Sequence, residues 1–263
     1  QNLSETQAID LTNLAFTNGI TFNFPSSTLD PGARVIVAGN EAAFIHRYGG
    51  GLPVIGQYQI SNSNRLSNDG ERLRLEDASG TAISDFTYNE GAPWPSSADG
   101  FGYSLVLMCP GLNDPTLPQS WRTSATVNGN ANGSDTIDLA TWMVTNRVLD
   151  LSFDDDGNRS ASLLEFATGR DPNIFDATDE VESAIVETDG QLFAAMVFRQ
   201  QIGADEISFR GESSGDLVNW TDGPLYLGRT NNGDGTSSVW FVSNRAIGTS
   251  EREFLRLEIT TKP

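Results

Sequence analysis

Turn chemistry constrains this chain more than any other feature, because it recurs too often for long helices to form. The 263 residues include 26 glycines and 11 prolines, and between the turns lie short runs that alternate apolar and polar residues. Alternation with period two is a strand signal, since successive side chains leave opposite faces of a strand. Ile20-Thr-Phe-Asn-Phe24 alternates and stops at Pro25. Leu29-Asp-Pro-Gly32 is a turn that feeds Arg34-Val-Ile-Val-Ala38. Ser67-Asn-Asp-Gly70 opens Glu71-Arg-Leu-Arg-Leu-Glu76, and Ser79-Gly80 turns into Ala82–Tyr88. Only Asn40–Tyr48 reads as helix here, with Ala43, Phe44 and Arg47 spaced by three and four. Strands with turns every eight to twelve residues predict a β-sandwich.

The same signals return near the C-terminus. Gln191–Arg199, Glu206–Glu212, Leu217–Trp220, Ser237–Val242 and Arg252–Thr260 read as strands, and Asn231-Asn-Gly-Asp-Gly235 reads as a hairpin turn. Asn231 and Asp234 would also suit a second ion, though a plain turn accounts for them. Residues 110–134 are rich in Gly, Asn, Pro, Ser and Thr and read as a linker, and residues 176–182 read as an acidic junction.

Between the two β regions lies Asp154-Asp-Asp-Gly-Asn-Arg-Ser-Ala-Ser-Leu-Leu-Glu165. Helix-loop-helix calcium loops place oxygen ligands at positions 1, 3, 5, 7 and 9 and a bidentate glutamate at 12. That register selects Asp154, Asp156, Asn158, Ser160 through its carbonyl, Ser162 and Glu165 as ligands of one Ca2+. Position 6, normally glycine, is Arg159, and a left-handed non-glycine residue there costs roughly 1 kcal/mol. The same residues also read as a solvated acidic linker whose aspartates cap the next helix. Helical flanks are expected at 138–148, capped by Asp135 or Thr136, and at 163–167, ended by Gly169 and Asp171-Pro172.

Composition narrows the function classes. The net charge is −19, which disfavours nucleic acid as a partner because phosphates require a basic footprint. Lys262 is the only lysine, Cys109 the only cysteine and His46 the only histidine. An intrachain disulfide is therefore ruled out, and the lone histidine is read as structural and not as the base of a triad. No apolar run is long enough to predict a membrane span. No phosphate loop, nucleophile elbow or HExxH motif is visible. The expectation is a protein that is not an enzyme.

Several stretches together resemble a bacterial lamin-tail domain, an immunoglobulin-like sandwich. They include Asn18-Gly19, Phe24-Pro25, Leu29-Asp-Pro-Gly32 with Val35–Ala38, Leu66–Glu71 with Leu73 and Leu75, Ala92-Pro-Trp-Pro95, and Ser120-Trp121-Arg122. Leu14 stands where that family usually has tryptophan. Gln1–Ser4 matches the end of the family's first strand, so the resemblance implies that the strand itself is missing. The implied open sheet edge near the N-terminus would be a route to self-association, unless the chain is a fragment of something longer. The central loop, with Gly169 and Asp171-Pro172 after it, is similar to thrombospondin type 3 and dockerin calcium repeats. Arg210–Trp220, Asn232–Thr236 and Arg252–Glu258 are similar to C-terminal β domains of secreted bacterial proteins.

The expected architecture is mainly β. A lamin-tail-like, immunoglobulin-type β-sandwich (1–133) precedes a short helix–calcium loop–helix linker (134–180), and a second small β-sandwich (181–263) follows. The resemblances imply an extracellular or cell-surface structural or adhesive protein, with protein partners and no membrane insertion. The alternative is an accessory region of a larger secreted enzyme. A carbohydrate partner is also open, and exposed Trp94, Trp220 or Trp240 would favour it.

Overall fold

The structure, a computed structural model, describes residues 1–176, 181–249 and 252–262. It is mainly β, built from several antiparallel sheets with three short helices. The chain forms two compact units. One comprises residues 1–91, 107–121 and 129–134, and the other 92–106, 122–128 and 135–263. The segments 1–133, 134–180 and 181–263 therefore do not map one to one onto these units. The acidic junction at 176–182 lies partly outside the described residues.

In the first unit the strands are β1 (Ile9–Asp10), β2 (Ala15–Asn18), β3 (Phe22–Asn23), β4 (Thr28–Leu29), β5 (Ile36–Ala38), β6 (Val54–Gln57), β7 (Glu71–Glu76) and β8 (Ala82–Tyr88). A four-stranded antiparallel sheet runs β3-β2-β7-β8. β7 and β8 match the alternating runs in the sequence, whereas Phe22–Asn23 is all that remains of the expected Ile20–Phe24 strand. β5 and β6 are parallel and are joined through α1 (Glu41–Tyr48), whose N-cap Asn40 accepts the Ala43 amide. Leu11, Ile20, Phe22 and Leu29 are buried, and Phe22 meets Phe24 edge-on at 5.0 Å. Gln1–Ser4 is not a strand. Asn2 is buried and its Nδ2 donates to the carbonyls of Leu29 and Asp30, at 3.0 and 3.1 Å.

Strands β9 (Leu105–Leu107) and β10 (Trp121–Thr123) lie where the chain passes between units. The second unit then adds α2 (Leu139–Asn146), α3 (Ser162–Thr168), β11 (Val181–Thr188), β12 (Gln191–Gln201), β13 (Ile207–Ser214), β14 (Thr221–Asp222), β15 (Leu225–Asn231), β16 (Thr236–Ala246) and β17 (Phe254–Thr261). One sheet runs β11-β12-β16-β15 and another β14-β13-β17. Met196, Phe198, Val239 and Phe241 of the first sheet pack with Phe209, Leu255 and Leu257 of the second. Phe198 stacks on Phe209 at 4.9 Å. This is a sandwich core, and burying each large side chain contributes about 1.5–3 kcal/mol.

Two readings of the C-terminal region change. Leu217–Trp220 is a turn, not a strand: Asp216 Oδ1 accepts the amides of Val218 and Asn219, and Leu217 has φ 65°. Residues 231–235 do form the expected hairpin, between β15 and β16.

The helices belong to this sandwich. Leu139, Phe166 and Ala167 form one buried cluster with Ala204 and Ile207. Trp142 and Met143 pack against it, and Trp142 meets Phe166 at 5.1 Å. The N-cap of α2 is Asp138, not Asp135 or Thr136. Asp135 instead pairs with Arg122 at 2.7 Å.

Candidate metal centre

The acidic loop lies between α2 and α3, and its local geometry follows from its short polar residues. Asp154 accepts the amide of Gly157 on Oδ1 and that of Arg159 on Oδ2, both at 2.8 Å. Asp156 accepts the Asn158 amide at 2.9 Å, and Asn158 Oδ1 accepts the Ser160 amide at 2.6 Å. Side chains two to five residues back thus hold the turns, as Asx motifs do. Arg159 at position 6 does take the left-handed conformation, with φ 78°.

Glu165 sits in the first turn of α3. Helix α3 carries Phe166 and Ala167 into the apolar core, and this rotation places Glu165 on a fully buried face, 0 % exposed. Its Oε1 accepts Asn158 Nδ2 at 3.2 Å, whereas its Oε2 is buried with no hydrogen-bond partner. Burial, joined by the charges of Asp156, Asp176 and Asp154, pushes its carboxyl up to about 7. A buried carboxylate oxygen without a partner is costly, on the order of 1–3 kcal/mol or more.

Asn158 Nδ2 also lies 3.1 Å from Asp156 Oδ2 and 3.2 Å from Asp176 Oδ1. Three carboxylates therefore converge on one amide nitrogen, which carries only two hydrogens. Of the six expected ligands, Asn158 Nδ2 donates to Asp156 and Glu165, Asp154 acts on Glu165 through its charge, and the Ser160 amide donates to Asn158 Oδ1. The Ser162 hydroxyl is engaged elsewhere, with the Phe153 carbonyl at 3.2 Å and Asp155 Oδ2 at 3.0 Å. Asp176 joins the group without having been singled out in the sequence, because it lies beyond the twelve-residue register. Its one signal there was its place at the start of the acidic junction 176–182.

No protein-family model, curated protein or solved structure matches this chain.

The donor set is all oxygen and strongly anionic, which suits a hard cation such as calcium. Among the described residues, no three or more His, Cys, Asp or Glu side chains stand close enough together to hold a metal. The Asn158 amide occupies the space between the carboxylates.

The tryptophans are arranged differently from an exposed platform. Trp94 is buried, and the Arg256 guanidinium lies over the Trp220 ring at 4.2 Å. Trp240 is half-buried and lines a cleft of about 310 Å³ with Trp94, Val186 and Leu227. In the β15–β16 hairpin, Asp234 is engaged by Thr236 and Arg199. No helix among the described residues is long and apolar enough to cross a membrane.

Proposed function

We propose that this chain is a non-catalytic, extracellular structural or adhesive β protein whose helix-loop-helix takes one calcium ion. The observation that carries the calcium reading is the buried Glu165 carboxylate. Its Oε2 has no partner, and the charges of Asp154, Asp156 and Asp176 act on it. In the absence of a cation this arrangement opposes folding, and a divalent ion reverses the sign. The ion would be held by Asp154, Asp156, Asn158, Ser160, Ser162 and Glu165, and would fix α3 against the sandwich.

The structural reading draws on the acidic composition and on the resemblance to lamin-tail domains and secreted calcium repeats. Self-association belongs to the same proposal. β3, near the N-terminus, and β8 are the outer strands of one sheet, and β11 and β15 those of another; such edges present backbone groups to another chain.

Calorimetric titration of metal-stripped protein tests the calcium reading. One site is expected, and a hundredfold excess over Kd stabilises by roughly 2.7 kcal/mol. The absence of heat beyond dilution at millimolar calcium overturns it. Glu165→Gln is expected to abolish the calcium response and to leave the metal-free protein at least as stable as the wild type, measured by thermal unfolding in chelator. Electron microscopy of the protein with calcium present tests assembly, and dispersed single particles count against a filament.

A further inference from the structure

Residues 135–176 carry more apolar side chains than their packing uses. Leu139 and Phe166 lie in the buried cluster, Leu151 packs against it, and Val148 and Pro172 are buried. A second apolar set faces water. Val144, Leu149, Phe153, Ile174 and Phe175 are all exposed, Leu149 at 93 % and Val144 at 81 %. Single exposed apolar residues are ordinary, but a group of large ones in one place marks an interaction surface.

The backbone brings them to one region. Arg147 ends α2 in the left-handed conformation, with φ 61°, and the Val148 amide bonds the Met143 carbonyl at 2.9 Å. The chain thus leaves the helix with Val148 buried and Leu149 outside. The Phe153 amide bonds the Asp150 carbonyl at 3.2 Å, one turn further on. The Asn173 side chain donates to the Asn146 carbonyl at 3.2 Å, which ties the segment of Ile174 and Phe175 to the end of α2, between Val144 and Leu149.

Charge decides what can cover this surface. Leu149, Phe153 and Phe175 are each followed directly by an aspartate, Asp150, Asp154 and Asp176. Residues 135–176 hold nine acidic residues against three arginines. A bound divalent cation would remove only two of those charges, so the surface is anionic with or without one. Asp150, Asp155 and Asp171 are exposed and lie outside the proposed ligand set. A second copy of the chain brings the same net charge of −19 and is opposed by like-charge repulsion.

We propose that this face of the helix-loop-helix docks a basic amphipathic helix of a partner protein. Its apolar side would cover Leu149, Phe153 and Phe175, and its lysines or arginines would meet the aspartates at the rim. The docking surface does not depend on the calcium reading.

Fluorescence anisotropy of a labelled leucine–lysine amphipathic helical peptide, titrated with the full chain, tests this. Binding is expected, and it is expected to weaken as salt is raised. Leu149→Ser combined with Phe175→Ser is expected to weaken it by at least about tenfold, as loss of interface anchors does, and to leave thermal unfolding unchanged, because both side chains are exposed. Ile185→Ser combined with Leu225→Ser removes exposed apolar groups from β11 and β15 instead and is expected to change nothing. A leucine–glutamate peptide and a glycine–lysine peptide are each expected to bind at least about tenfold more weakly than the leucine–lysine peptide. Failure of the wild type to bind the leucine–lysine peptide overturns the docking surface. So does wild-type affinity in the Leu149/Phe175 variant, an equal loss in the Ile185/Leu225 variant, or equal binding of either control peptide. If the wild type alone dimerises in sedimentation velocity, or floats with phosphatidylcholine vesicles, and the Leu149/Phe175 variant does not, the occupant is a second copy or lipid and the basic partner is likewise overturned.

Discussion

Arg122 shows how one side chain can join distant sequence. It is 2 % exposed, and its Nε and Nη2 reach the two oxygens of Asp205 at 2.6 and 2.8 Å. Nη2 also reaches Asp135, and Nη1 donates to the Thr123 carbonyl. A paired, buried charge is costly to orphan, so Arg122→Ala is expected to destabilise by about 3–5 kcal/mol in urea unfolding. A loss under about 1 kcal/mol would show that water replaces the guanidinium at little cost. On the surface, the Arg72 guanidinium beside Asp85, with Arg74 adding to it, holds that carboxyl down at about 2. Its pKa in the folded state is depressed, so its stabilisation is present above the unfolded value near 3.9 and is lost as pH falls from there through about 2. Carboxyl NMR is expected to place the Asp85 midpoint near 2 at low salt, moving upward in high salt as the exposed pairs are screened. Ion pairs of either kind leave no trace in the sequence, because nothing local sets Arg122 opposite Asp205. The loop carboxylates were legible because their register is local, and Asp176 was not, because a folded turn brings it in.

At the level of elements, visibility followed burial. β7, β12, β13, β16 and β17 face a core, and their apolar residues recur at the strand period. β11 has little buried area to pattern its sequence, and the register of β15 shifts between Tyr226 and Gly228. Neither strand announced itself. Leu217–Trp220 misled for the converse reason: its residues are apolar, yet the Asp216 carboxylate organises them as a turn. The helices depend on caps and packing more than on propensity, being too short to persist alone. Asp138 accepts the Thr141 amide at 2.7 Å at the start of α2. Asp138→Ala is therefore expected to cost about 1 kcal/mol in thermal unfolding, as loss of an N-cap does. Gly203 allows another close approach. It has φ 99°, and a side chain there would press on the Asp135 carbonyl that leads into α2.

For the whole molecule, the mainly β class was readable from alternation and turns, but the partition into units was not. Residues 92–106 and 122–128 belong with the C-terminal sandwich through contacts more than a hundred residues apart. The Asn231 amide donates to Ser97 Oγ at 3.1 Å, and its side-chain Nδ2 donates to Thr123 Oγ1 at 3.0 Å. No composition change marks such membership. A fragment of residues 135–263 lacks Arg122, Ser97 and Thr123, and it is expected to lose a cooperative thermal transition. A fragment of residues 92–263 is expected to keep one, measured by circular dichroism. Equal cooperativity in the two would mean that the inserted segments are passengers.

The exchange of segments between the two bodies also bears on inheritance. A recombination breakpoint between residues 92 and 134 would separate strands and ion pairs that complete one another across that interval. A breakpoint after residue 106 leaves neither product with every segment of the C-terminal sandwich, and one after residue 122 also parts Arg122 from Asp135 and Asp205. Transfer of the C-terminal sandwich as a whole would therefore have to begin ahead of Ala92, and it would carry residues 107–121 and 129–134 of the other unit with it.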